Sequence, residues 1–407
     1  MGSGPEPGVV PHGGAPEAEA AGARCLADVE RAAGAVLPVQ VRDFVAGGSG
    51  TEATLDANRA AFERVFLVPR VLGDVSGCST GATFFGRPAS MPVAVAPVAY
   101  QRLLHPDGEL AVARAAKAAG VPFAVSTLSS VPVEELAAVG GDLWFQLYWL
   151  QDAQRALELV RRAEDAGCAA IVLTVDVPWM GRRLRDLRNR FTLPPHVTAA
   201  HLTDAEAGGA AGHPSGPAHP GGPADTRAHG GTAAHRPPAD GVSAVAVHTR
   251  QTFSPAVTWS TVELLRGRTR LPLVLKGVLA PEDAVRAAES GVDAVVVSNH
   301  GGRQLDAAVP SLDALGPVTR AVAGRCRVLL DSGVRSGTDV LRALALGADG
   351  VLVGRPVMWG LAAAGEDGAA RVLALLADEL RDALGLAGCP TVADAARLRT
   401  LRVPARR

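Results

Sequence analysis

The sequence predicts an α/β fold: a (β/α)8 TIM barrel with an N-terminal helical arm and a disordered insert after its fourth strand. Eight short apolar runs recur from residue 92 onward, stretches of helical periodicity lie between them, and polar residues gather where the apolar runs stop. A doubly wound sheet usually has fewer strands and opens on a Gly-x-Gly-x-x-Gly turn, which is missing early in this chain.

The elements follow in order. Residues 1–24 are Gly, Ala, Pro and Glu with little large apolar content, the composition of a disordered tail. Residues 25–91 form the helical arm. Within it, 25–46 read as two short helices, the second opening near Pro38 and closing at Gly47-Gly48, and Leu67–Gly86 connects to the barrel. The barrel spans 92–390, with strands at Pro92–Pro97, Pro122–Thr127, Leu143–Tyr148, Ala169–Asp176, Leu271–Val278, Ala294–His300, Arg327–Val334 and Gly350–Pro356. Helical periodicity marks Gly108–Ala119, Ala153–Ala166, Pro281–Ser290 and Thr338–Leu346, each ending near a glycine. Between strands four and five, residues 194–241 turn rich in Gly, Ala, Pro and His. That composition cannot offset its ordering entropy, so a mobile low-complexity loop at the barrel mouth is expected. Its histidines, among them His213, His219, His229 and His235, have neither i, i+4 spacing nor a carboxylate cluster beside them, so no metal is expected. Residues 391–407 read as a C-terminal tail.

Composition narrows the function. A chain of 407 residues, 48% hydrophobic and 20% charged with a net charge of -1, reads as a soluble globular protein without a polyanionic partner, so no nucleic acid is expected. Lys276 interrupts the best apolar run, Leu271–Val278, leaving no membrane span, and no basic leader precedes an apolar core, so a cytoplasmic location is the default expectation. The cysteines at 25, 78, 168, 326 and 389 have no metal-ligand spacing and read as small buried hydrophobes.

The chemistry sits at the strand ends, where barrels place it: Gln146 and Tyr148, Thr174 and Asp176, Lys276, Ser298 and His300, Asp331, and Arg355. The stretch A-V-V-V-S-N-H-G-G-R-Q-L-D from Ala294 to Asp306 is the most concentrated. A buried strand there ends in an imidazole and a guanidinium, a proton acceptor beside an anion binder. Arg182 or Arg183 can turn inward to join Arg303, and two guanidiniums in one cleft suggest a substrate carboxylate. L-L-D-S-G-V-R-S-G (Leu329–Gly337) and V-G-R-P (Val353–Pro356) end strands seven and eight, the usual phosphate site of a barrel. Asp331 beside them suits the hydroxyls of a polyol chain attached to that phosphate. Lys276 is open to three readings: a Schiff-base amine, a fixed charge near an electron-poor ring, or a lysine snorkelling out of the barrel end.

Together S-N-H-G-G-R-Q-L-D, L-T-V-D-V-P-W-M-G-R-R, W-F-Q-L-Y, V-L-K-G-V, D-S-G-V-R-S-G and V-G-R-P resemble the motif set of the FMN-dependent 2-hydroxy acid oxidases and dehydrogenases, from about Val36 to Cys389 without the insert. The resemblance implies an FMN enzyme. His300 then matches the active-site base and Asp176 the carboxylate that hydrogen-bonds it. Arg303 and Arg183 match the carboxylate-gripping pair, and Tyr148 the hydroxyl near the substrate oxygen. Val98 and Ala99 would pass beneath the flavin; Ser126, Gln146, Thr174 and Lys276 would bond its ring; Ser298 and Asp331 would face the ribityl chain; Gly333, Arg335, Gly354 and Arg355 would hold the phosphate.

Several positions depart from the family pattern. Phe44 stands where many members carry a carboxylate-binding tyrosine, Ser332 and Ser336 replace a glycine and an arginine of the phosphate loop, and Tyr100 stands where a smaller residue is frequent. Phe44, Tyr100 and Trp179 suggest an aromatic substrate; packing of the barrel rim is the other account of these rings. D-F-V-A-G-G-S-G-T-E-A, A-P-V-A-Y-Q-R-L and V-D-V-P-W-M-G-R-R-L-R-D resemble the 4-hydroxymandelate oxidase branch. The implied reaction takes a 2-hydroxy acid, (S)-4-hydroxymandelate or mandelate, to the 2-keto acid with dioxygen reduced to hydrogen peroxide. The base takes either the hydroxyl proton or the α-proton. A dehydrogenase passing electrons to a quinone or protein is the alternative, and a phosphometabolite-binding barrel without flavin a second. The resemblance also implies a homo-oligomer, a tetramer.

Overall fold

A computed structural model describes residues 15–202 and 243–404. Its centre is a closed barrel of eight parallel strands, β4 to β11: Val93–Val95, Phe123–Ser126, Leu143–Leu147, Ala170–Thr174, Leu273–Val278, Ala294–Val297, Arg327–Leu330 and Gly350–Val353. They neighbour one another in chain order, and β11 closes on β4 through Val351↔Val93 and Val353↔Val95. Each falls within one of the apolar runs read from the sequence, because β-branched and aliphatic runs buried on both faces are what a parallel barrel requires.

Side chains alternate between the barrel interior and the helical layer. Ala94, Ala124, Trp144, Val172, Val274, Val296, Leu329 and Leu352 belong to one buried cluster, the interior packing. Two residues further along each strand, on the same side, come Ala96, Ser126, Gln146, Thr174, Lys276, Ser298, Asp331 and Gly354. The apolar filling therefore gives way to a polar layer at the C-terminal mouth. The opposite end is plugged by a hairpin of β2 (Ala82–Phe84) and β3 (Arg87–Ala89), whose Phe84 and the turn residue Phe85 meet Trp144 edge-on at 5.4 and 5.3 Å.

The arm holds α2 (Leu26–Val36) and α3 (Val39–Ala46) as expected, and also α4 (Ala53–Glu63), which the sequence reading left unassigned. Two segments expected to be tails contain ordered elements among their described residues. Within 1–24, α1 (Ala15–Ala21) packs with α2 and with the long C-terminal helical stretch Arg355–Leu386, burying Ala20 and Ala23. Within 391–407, a one-turn helix at Val392–Arg397 leads into β12 (Arg399–Arg402), which pairs antiparallel with β1 (Val65–Val68). Both corrections come from long-range packing that local composition does not show.

Of the expected loop 194–241, residues up to 202 are placed, with Val197, Ala199 and Leu202 buried and His201 Nε2 accepting from Val133 N at 2.9 Å. The rest of it, with His213, His219, His229 and His235, lies outside the described residues. Cys168 and Cys389 are buried as read, whereas Cys25, Cys78 and Cys326 are half-exposed. Among the described residues no helix is long and apolar enough to cross a membrane, and no group of His, Cys, Asp and Glu could hold a metal ion.

Candidate active site

The polar layer is a connected network. The Gln146 amide accepts from Ser126 Oγ (3.2 Å) and Thr127 N (3.3 Å) through Oε1 and donates through Nε2 to Thr174 Oγ1 (3.0 Å). Opposite it, Lys276 Nζ lies 3.0 Å from Asp331 and 3.1 Å from Ser298 Oγ, with only 4% of the lysine exposed. Burial works to lower its pKa, but Asp331 and Asp176 outweigh it and hold the ammonium charged. That removes the snorkelling reading, because the amine is buried, and disfavours the Schiff-base reading, because a charged amine is not nucleophilic.

His300 follows β9 in a left-handed turn, with φ of 59° for His300, 65° for Gly301 and 74° for Gly302. Glycine is required at 302, where a Cβ would sit 2.7 Å from Leu55 N. The turn presents the imidazole to the cavity and sets Nδ1 3.0 Å from Asp176 Oδ1. With Nδ1 committed, Nε2 is the nitrogen left for chemistry. Burial lowers the His300 pKa, Asp176 pulls it back up, and Lys276 and Arg183 push it down; the net is a base below the ordinary imidazole value, neutral at pH 7. Burial also works to raise Asp176, yet His300 and Lys276 hold its carboxyl below the usual range. Gly277 admits this carboxylate, since a Cβ there would lie 2.6 Å from Asp176 Cβ and Cγ.

Two guanidiniums share the cavity with the imidazole. Arg303 Nη1 donates to the carbonyls of Phe44 (2.9 Å), Val45 (3.3 Å) and Gly47 (2.8 Å) at the end of α3, which leaves Nε and Nη2 as a two-pronged donor. Arg183, the inward member of the 182/183 pair, stands 4.0 Å from Asp186 and has a buried Nε without a hydrogen-bond partner among the described residues. Both lie over the Phe44 ring, at 5.9 Å for Arg183 and 5.5 Å for Arg303, while that ring stacks on Phe191 at 4.5 Å. Phe44 therefore supports the arginines through its π face where a tyrosine would offer a hydroxyl.

A second cationic region lies beyond strands β10 and β11. Arg355 donates to Val45, Gly301 and Gly47 carbonyls at 2.9, 3.0 and 3.0 Å, using three of its five N–H groups. Arg335 donates to Val334 O at 2.9 Å, and neither arginine has an ion pair among the described residues. Burial and neighbouring arginines push both below the ordinary guanidinium range, the signature of positive charge awaiting an anion. Gly333 has φ 106°, and Ser332, where the family has glycine, also takes a left-handed φ of 73° while bonding Asp331 and Gly301 N. Ser336 caps the next helix by accepting from Asp339 N at 3.1 Å, so its hydroxyl faces that helix end and supplies no cation.

These groups share one cavity, about 1180 Å³ counted with the solvent at its open mouth. It is lined by Phe44, Val98, Ala99, Tyr100, Ser126, Tyr148, Arg183, Lys276, His300, Arg303, Asp331, Gly333, Arg335, Gly354 and Arg355. Of the other expected residues, Gln146, Thr174, Asp176 and Ser298 lie one step behind, bonded to lining side chains or to each other. Trp179 is 63% exposed and outside the lining, so it does not contribute a wall. Sequence reasoning missed Leu128, Met180, Gln304 and the face of the helix Ala244–Thr252 that brings Val245 and Thr249, followed by Phe253, to the cavity. Phe253 stacks on Tyr148 at 4.4 Å. The i, i+4, i+8 spacing of Val245, Thr249 and Phe253 was the available signal.

The chain matches the FMN-dependent dehydrogenase family over residues 33–401. It belongs to that family. Among relatives, a 4-hydroxymandelate oxidase from Amycolatopsis orientalis is 61% identical across 92% of this chain and 97% of its own length, and an L-lactate oxidase from a Nostoc strain is 44% identical across 91% and 95%. The crystal structure of a mandelate oxidase with (S)-4-hydroxymandelic acid superposes with a TM-score of 0.86 at 60% identity, covering 94% of this chain and all of that one. As an FMN-dependent dehydrogenase family member the chain uses FMN, and the cavity fits it. Two half-buried arginines without an ion pair among the described residues, Arg335 and Arg355, stand at one end, a polar layer with a charged lysine in the middle, and Gly354 leaves a cradle where a Cβ would meet nothing nearer than 3.6 Å.

Proposed function

We propose that this enzyme oxidises an aromatic 2-hydroxy acid, (S)-4-hydroxymandelate or mandelate, to the 2-keto acid, with dioxygen as acceptor and hydrogen peroxide as the second product. The observation that carries the reading is the His300 imidazole, paired with Asp176 at 3.0 Å, sharing one cavity with Arg303 and with Arg183, whose buried Nε has no hydrogen-bond partner among the described residues. Arg183 and Arg303 bind the substrate carboxylate. His300 takes the proton that leaves the substrate, from its hydroxyl or from Cα, and Asp176 stabilises the imidazolium that results. The Tyr148 hydroxyl, whose pKa burial raises to about 12, stays protonated and donates to the substrate oxygen.

Bound FMN supplies the two-electron acceptor. Arg335 and Arg355, with Gly333 and Gly354, would hold its phosphate; Ser298 and Asp331 would face its ribityl chain; Ser126, Gln146, Thr174 and the Lys276 ammonium would bond its ring, with Val98 and Ala99 beside it. The lysine charge would favour the reduced, more negative cofactor. Tyr100, Leu128, Met180, Val245 and Phe253 make the apolar wall for an aryl ring, which favours mandelate-type acids over glycolate. The names of the 4-hydroxymandelate oxidase and mandelate oxidase relatives support the same choice.

The visible spectrum of the purified protein tests the reading. Anaerobic 4-hydroxymandelate should bleach the flavin bands, and admitting air should restore them with one peroxide per keto acid. Bleaching by glycolate or lactate but not by mandelates would overturn the substrate assignment, and reoxidation by a quinone dye but not by air would overturn the acceptor.

A further inference from the structure

We propose that Gln304 is a positioning residue, the clasp that fixes the loop carrying Asp176 and Arg183 against the loop carrying His300 and Arg303. Its Nε2 donates to Asp176 O (2.9 Å) and Trp179 O (3.0 Å), and its Oε1 accepts from Gly181 N (3.1 Å). Both amide hydrogens and the amide oxygen thus serve backbone atoms of a single loop. The Gln304 carbonyl in turn accepts from Ser49 Oγ, which ties the clasp to the arm.

A second observation marks the same seam. A Cβ at Gly181 would lie 2.5 Å from Arg303 O, 2.7 Å from Gln304 O and 2.9 Å from Gln304 Cα, so the two backbones are in direct contact and only glycine fits. Burial anchors this loop only weakly: none of residues 175–185 is fully buried, Val175 and Met180 pack against the core while only partly buried, and Trp179 is 63% exposed. A loop with so shallow an anchor opens readily unless polar bonds hold it. Gln304 follows Arg303 directly, and Gly181 precedes Arg183 by two positions. The clasp therefore sets the gap between the two guanidiniums at one end and the Asp176 approach to His300 at the other.

The proposal rests on the reading that these groups serve a 2-hydroxy acid, and its test separates the two. The FMN-loaded Gln304→Met variant keeps the side-chain length and removes all three bonds; Gln304→Glu keeps an acceptor for Gly181 N but turns a carboxylate toward two carbonyls. In Gln304→Met, backbone hydrogen exchange of the 175–185 segment should accelerate about tenfold while FMN content stays that of the parent. KM for the 2-hydroxy acid should rise about tenfold and kcat fall by a similar factor, since an ångström of misplacement at such a site costs that much or more. Gly181→Ala should reproduce the pattern. Unchanged exchange in Gln304→Met, or KM and kcat within twofold of the parent, would overturn the clasp; so would loss of FMN in step with activity, which marks a general structural role. If the parent turns over no 2-hydroxy acid, the functional reading fails while the exchange measurement still decides the clasp.

Discussion

Arg303 holds Phe44 twice over: its guanidinium donates to the Phe44 carbonyl at 2.9 Å and lies 5.5 Å over the Phe44 ring. The ring also carries Arg183, so one phenylalanine braces both guanidiniums of the cavity. Replacing Phe44 with Leu removes two cation–π contacts of ~0.5–2 kcal/mol each. Steady-state kinetics should show KM for the hydroxy acid raised about tenfold, with kcat less affected.

His300 is the base of the proposed reaction. His300→Ala should yield a folded, yellow protein whose anaerobic bleaching by substrate is slower by roughly 10²–10⁴-fold, the usual weight of a positioned base. Stopped-flow absorbance measures this directly, and bleaching at the parental rate would take His300 out of the role.

The pH dependence follows from the charges around that imidazole. Burial, Lys276 and Arg183 lower its pKa and Asp176 raises it, with the lowering influences ahead. The acid limb of kcat/KM should therefore fall below the ordinary imidazole value of about 6.5. In Asp176→Asn the one raising influence is lost. The limb should move to still lower pH and the plateau should drop, because the imidazolium is no longer stabilised.

Lys276 and Asp331 are both buried and pair at 3.0 Å. Asp331→Asn leaves an ammonium without its nearest anion and should cost about 3 kcal/mol of stability, measured by denaturant unfolding. The Lys276 pKa is raised in the folded state, so the stability it adds is fully present below its unfolded value of about 10.4 and is lost only as pH climbs through the folded value. The deficit of the variant should accordingly be constant across the neutral range.

Arg355 retains two N–H donors after serving three carbonyls. Arg355→Met should weaken FMN retention by about tenfold or more, read by recovery of flavin fluorescence on dialysis, since a charge-assisted bond is worth roughly 1.5–3 kcal/mol. Added phosphate should compete with FMN for the parent and not for the variant.

Much of this site was legible because strand alternation is a local property. Six of the eight barrel strands place an apolar residue inward and a polar one two positions later, as in Trp144 then Gln146, Val274 then Lys276, Leu329 then Asp331. His300 and Arg303 were visible for the same reason, following an unbroken β-branched run. What stayed hidden depends on distant contacts. The Arg303 carbonyls come from α3, some 250 positions away in the chain, and nothing in the α3 sequence advertises acceptors. The Val245–Phe253 wall is a short, weakly patterned helix and its C-terminal Phe253, which stacks on Tyr148 from a distant part of the chain. Trp179 misled because an aromatic ring in a motif says nothing of which way it faces.

The hairpin under the barrel settles how molecules come and go. With Phe84 and Phe85 wedged against Trp144, and Gly350 so close that a Cβ would touch the Phe84 ring at 2.8 Å, the floor is shut. Among the described residues the cavity opens at the other end of the barrel, and substrate and keto acid then share that mouth. A spent product that lingers there blocks the next arrival, so the keto acid should inhibit by competing with the hydroxy acid.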